Sequence, residues 1–158
     1  MKPLIVLISV FFIGLFIIKL RTKKTDWKLA GRIAMSAMLM FTAVAHFVFT
    51  DGMTQMIPDF FPLKKELVYV TGFLEFLFAV ALLIPRTKTI AGWALIVFLL
   101  SILPANIKAS IENINYQTGE MNGNGIEYLW FRIPLQMLFI AWVFFTVIKD
   151  FETNSTEI

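Results

Sequence analysis

The chain has 158 residues, 58% of them hydrophobic and 16% charged, with a formal net charge of +3. Soluble domains run about 45–50% apolar, so this composition excludes an ordinary water-soluble domain and points to a helical bundle dissolved in lipid. With no cysteine and one histidine, His46, the chain cannot by itself carry thiolate, dithiol or iron–sulfur chemistry. Nor can one subunit form a two-histidine haem site or a Cys/His zinc site.

Five apolar runs follow in chain order. The first, residues 3–20, is about 27 Å long as a helix, close to the hydrocarbon thickness. It sits where a signal peptide would, but Lys19, Arg21, Lys23 and Lys24 follow it in place of a small-residue cleavage pattern. It therefore reads as a retained span with its N-terminus outside. The remaining runs cover about 29–49, 67–84, 90–107 and 127–148. Each approaches the length needed to cross a bilayer. The expected fold is all-α, an integral membrane bundle of five spans. Residues 1–28 form an N-terminal span and basic loop, 29–150 a four-helix membrane domain, and 151–158 a polar tail.

The break Pro85-Arg86-Thr87-Lys88-Thr89 is a tight turn, so the third and fourth spans should be antiparallel neighbours. The long connections, 50–66 and 108–126, then lie together at the other side. Positive charge separates the two sides. Lys19, Arg21, Lys23, Lys24, Lys28, Arg86, Lys88 and Lys149 fall on the short-turn side, against Lys2, Lys64, Lys65 and Lys108 opposite. This predicts an outside N-terminus and a cytoplasmic C-terminus, where the Asn154-Ser155-Thr156 sequon would be silent. No basic stripe interleaved with aromatics lies outside the spans, which argues against a nucleic-acid partner.

Ionisable and amide side chains inside the runs mark the candidate site, because a charge at the membrane centre costs roughly 2.5–3.5 kcal/mol on insertion scales. Helical spacing puts Arg32, Met35, Leu39, Thr42 and His46 on one face of the second span. Gly72, Glu75 and Ala79 share a face of the third, where small residues admit a neighbouring helix. Arg132 and Gln136 stand one turn apart on the fifth span, and Asn106 lies at the outer end of the fourth. By depth, His46, Glu75, Arg132, Gln136 and Asn106 gather in the outer half of the bundle, whereas Arg32 lies near the inner end. Pro104 and Pro134 cannot donate to the carbonyls of Leu100 and Trp130, which could line the same space or simply accompany bends. Each residue also has a plain structural role open to it. Glu75 could pair with Arg132 to set helix register, His46 could cap its helix end, and Asn106 and Gln136 could bond between helices.

A set of motifs in order carries a family resemblance. His46-Phe47 is followed by Met56-Ile57-Pro58, Pro62, Val68-Tyr69-Val70-Thr71-Gly72 and Glu75. Ile84-Pro85-Arg86-Thr87, Ala91-Gly92-Trp93, Pro104-Ala105-Asn106 and Arg132-Ile133-Pro134-Leu135-Gln136 complete it. Over residues 30–148 the chain resembles the DoxX family of small bacterial integral membrane proteins. The resemblance implies a four-helix core, with the N-terminal span outside it, in a bacterial inner membrane. Some relatives are tied to quinone-linked or other membrane oxidoreductase complexes.

The leading functional expectation is a membrane component of a redox system that meets a lipophilic carrier such as a quinone. Glu75 and His46 would handle its protons, and Arg132, Gln136, Asn106 and Thr42 would bind it. No intrinsic cofactor is expected, so electrons would come from a partner oxidoreductase subunit. A permease for a small or lipophilic solute and a non-catalytic scaffold or assembly factor are the alternatives. An oligomer is compatible with all three.

Overall fold

A computed structural model describes residues 2–149. The polar tail at 151–158, with its sequon, lies outside the described residues.

Local sequence explains where each helix begins and which way it faces. Helix α1 (Lys2–Thr22) is apolar on every side, and only Leu7 on it is buried. Ile5, Phe12, Phe16 and Leu20 stay exposed, as expected of a helix whose solvent is lipid. Helix α2 (Trp27–Val48) starts at Asp26, whose carboxylate accepts from the Leu29 amide at 2.8 Å and satisfies one orphan donor of the first turn. Its buried stripe is rich in small residues, Ala30, Gly31, Ala34, Ser36 and Ala43, so neighbours approach closely. Accordingly α2 makes the most extensive contacts in the molecule, with α1 and with α4.

After a short helix α3 (Thr50–Met56), α4 (Lys64–Ala81) buries Val68, Gly72, Glu75 and Ala79. That spacing is one helical stripe. Tyr69, Phe73, Phe76, Leu77 and Val80, on the remaining surface, are exposed. Helices α5 (Lys88–Ser101) and α6 (Leu103–Ile111) are nearly continuous, with a break at Ile102. Pro104 falls in the first turn of α6, where its missing N–H would have had no partner anyway. It therefore starts a helix, where a bend in a continuous one was expected. Pro134 does lie inside its helix, α7 (Leu129–Val143), which follows a 3-10 turn at Ile126–Tyr128. Beyond α7 the chain widens into a π turn, Phe144–Ile148.

The core runs along the bundle axis through Leu7, Met35, Leu39, Leu82, Leu95, Val143 and Val147. At the basic end the π turn is wedged against α2 and α5. A methyl on Gly31 would overlap Thr146, and one on Gly92 would come within 3.0 Å of Val147. Trp142 Nε1 donates to the Gly31 carbonyl at 3.0 Å. At the other end the two long connections meet, as expected. Lys108 Nζ donates to the Ile57 carbonyl and to Asp59, each at 3.1 Å. Gly52 sits so close to the Tyr116 carbonyl that a side chain there would overlap it. Residues 113–125 are tied by hydrogen bonds from Asn115 N to Glu120 O, from Gly123 N to Asn113 O, and between the side chains of Asn115 and Asn122.

Four helical stretches are long and apolar enough to cross a membrane: Lys2–Thr22, Trp27–Val48, Lys88–Ile111 through the break, and Ile126–Ile148. The expected third span is the exception. Helix α4 has only 18 residues, and Lys64, Lys65, Glu66 and Glu75 are among them.

Candidate functional site

The polar residues collect in two separate places. The first is the interface between α2 and α4. Ser36 Oγ donates to the Ala79 carbonyl at 2.8 Å and clamps one end of this antiparallel pair. Further along, Gly72 makes room for His46: a methyl at Gly72 would lie 2.7 Å from the His46 Cβ. One turn from Gly72, Glu75 turns inward and is 5% exposed. Its Oε2 stands 3.6 Å from His46 Nδ1. The Thr42 hydroxyl lies beside the same carboxyl and donates to its own helix at Leu39 O, 3.1 Å away.

Hydrogen-bond chemistry settles the imidazole tautomer. His46 Nδ1 lies 2.9 Å from the Thr42 carbonyl, which can only accept, so Nδ1 carries a proton. That same N–H faces Glu75 Oε2, yet 3.6 Å is too long for a hydrogen bond. Glu75 Oε2 is consequently buried with no hydrogen-bond partner among the described residues. Such an acceptor costs about 1–3 kcal/mol, more if charged. The imidazole is the more accessible member, its side chain 16% exposed against 7% for Glu75. Beside it the Phe47 and Tyr69 rings stack, centroids 5.9 Å apart, and both are exposed on the outer surface of the bundle.

The second place lies between α6, α7 and the 113–125 loop. Arg132 Nη2 donates to Asn106 Oδ1 at 2.5 Å. Among the described residues the guanidinium forms no ion pair with Glu75, so the register-setting pair expected between them is replaced. Helix placement is the reason. Glu75 is on the α4 face packed against α2, whereas Arg132 meets α6. Gln136 is separate again: its amide donates to the Leu99 carbonyl, at the break between α5 and α6. Thus Glu75, His46 and Thr42 are brought together, Arg132 and Asn106 form a second pair, and Gln136 joins neither.

One structural tie has little sequence signal. Lys108 is 13% exposed in its side chain and pins both long connections through Ile57 and Asp59. Its place at the end of an apolar run was the only clue. Asp59 also accepts from Lys64 at 2.5 Å. Hydrogen bonds from Lys64 and then Lys108 hold the Asp59 carboxyl below its ordinary value. No group of His, Asp and Glu suited to a metal ion occurs among the described residues.

No curated protein and no solved structure matches the chain. Residues 35–147 match a family described as Domain of unknown function (DUF8561). The match leaves out α1, covers most of the chain and takes in every residue of both polar clusters, so the protein belongs to this family.

Proposed function

We propose that the protein is a five-span, DoxX-like component of a membrane redox system, in which the Glu75–His46 pair passes protons to and from a lipophilic carrier such as a quinone. In this reading α4 crosses the bilayer despite its charges. Lys64, Lys65 and Glu66 sit in its first turn at the interface, and Glu75 faces α2. The single observation that carries the reading is the Glu75 oxygen left without a hydrogen bond beside a histidine N–H. Buried polar groups are normally satisfied, and an ionisable exception inside a membrane helix is a mark of function.

Oxidation of a quinol releases two protons and two electrons. The electrons pass to a partner oxidoreductase subunit, since this chain holds no cysteine and one histidine. One proton enters His46 at Nε2, the ring nitrogen left free, as the Nδ1 proton moves to an ionised Glu75, and the other leaves to water; reduction of the carrier reverses the path. Contraction of the 3.6 Å gap to hydrogen-bond length completes the transfer. The stacked Phe47 and Tyr69 rings offer the flat apolar surface for a quinone head arriving from lipid. Arg132, Asn106 and Gln136, engaged elsewhere, have no part in this version of the site.

Titration of a short-chain quinone analogue into the protein in nanodiscs tests the proposal. Saturable binding that Glu75→Gln weakens at least about tenfold, or 1.4 kcal/mol, is expected. Absence of binding, or binding indifferent to that change, overturns it.

A further inference from the structure

A second site, independent of the proton pair, is open at the end of the bundle where the long connections meet. A cavity of about 200 Å³ lies between α6, the start of α7 and the 113–125 loop. Its polar lining includes Asn106, Ser110, Asn115, Tyr128 and Arg132, and no lining residue is acidic.

The orientation of Asn106 is determined by its partner. A guanidinium has only donors, so the oxygen of the Asn106 amide must face Arg132. The amide nitrogen is then the other end, and it is buried with no acceptor among the described residues. Asn106 as a whole is 6% exposed. Neighbouring groups do not supply the missing acceptor. Ser110 Oγ donates to the Asn106 backbone carbonyl, and Asn115 Nδ2 donates to Asn122 Oδ1. Glu120, the acid of the 113–125 loop, accepts from Asn122.

We infer that this cavity binds a small oxyanion, a carboxylate or phosphate group, between the Arg132 guanidinium and the Asn106 amide nitrogen. Arginine presents several N–H groups in a plane, and Asn106 Oδ1 occupies one of its nitrogens, Nη2. An anion there would supply the acceptor that Asn106 lacks and the counter-charge that Arg132 lacks in the lining. Drug-sized ligands occupy about 300–1,000 Å³, so the volume admits an oxyanion on a small solute or the headgroup phosphate of one lipid. Either source presents the same chemistry.

The test uses the full chain in zwitterionic nanodiscs, titrated separately with inorganic phosphate and with acetate, and in nanodiscs containing phosphatidylglycerol. Saturable binding of either solute assigns a soluble source. Loss of that binding in the phosphatidylglycerol discs, or protection of the protein by that lipid alone, assigns the headgroup. Arg132→Gln should weaken binding about tenfold or more. Asn106→Asp keeps the volume and the bond to Arg132 while removing the amide donor and adding negative charge, so it should abolish binding in a folded protein. Glu75→Gln should leave it unchanged. If neither solute nor lipid binds, if both Arg132→Gln and Asn106→Asp are without effect, or if Glu75→Gln abolishes binding, the inference fails. The proton-pair reading stands or falls separately, on the quinone titration.

Discussion

Glu75 places a buried carboxyl oxygen where it has no hydrogen-bond partner among the described residues, which lowers stability. Glu75→Met retains an unbranched side chain of similar length and removes that acceptor. Its expected effect is a gain of about 1–3 kcal/mol in unfolding free energy, measured by steric trapping in bicelles, with loss of quinone-analogue binding. A loss of stability instead would make the carboxyl a structural anchor. Gly72 is the complementary case, since its lack of a side chain creates the space His46 occupies. Gly72→Ala should overpack this contact, cost about 1–3 kcal/mol and push the imidazole away from Glu75. The same unfolding assay, with the histidine ring resonances followed by NMR, reads both effects.

Between helices, the connection after α3 is held to the start of α4 and the end of α6 through Asp59. Its carboxyl is held below the ordinary carboxylate value by hydrogen bonds from Lys64 and Lys108. A carboxylate depressed in the folded state contributes stability above its unfolded value, about 4, and loses it as pH falls through the lower folded value. Docking of the 57–63 segment should therefore be constant at neutral pH and fail on acidification below about pH 4. Limited proteolysis of the segment across pH should show that onset, and Asp59→Asn should show faster cleavage already at neutral pH with little change on acidification. Helix α4 itself was recognisable from its buried stripe, but its partner was not. Period 3.6 told which of its residues share a face, while the choice of α2 over α7 depended on Gly72 and His46 fitting together.

For the molecule as a whole, the long helices alternate in direction when α5 and α6 are taken as one rod, with short turns and most basic residues at one end and the two long connections at the other. The absence of native cysteine makes topology directly measurable. In the five-span reading, cysteines introduced at Lys23 and Lys88 should react with impermeant reagent only from the cytoplasmic side. Cysteines at Lys64 and Gln117 should react only from the outside. Labelling of Lys64 and Lys88 positions from the same side would show that α4 does not cross.

Composition and periodicity alone determined an all-helical chain with helices long and apolar enough to cross a membrane, because apolar run length and helical repeat are local properties. They also marked Glu75, His46, Arg132 and Asn106, since a polar group in an apolar run stands out wherever the run packs. Tertiary structure alone decided the partners. Arg132 bonds Asn106 rather than Glu75, and Glu75 meets His46, because partner choice depends on which faces of separate helices touch. Helical spacing within one rod carries no information about the azimuth of the next. The break at Ile102 is local by contrast, with Pro104 in the first turn of α6, and the 113–125 loop is tied within itself, while the close approach of Gly52 to Tyr116 joins it to a distant segment.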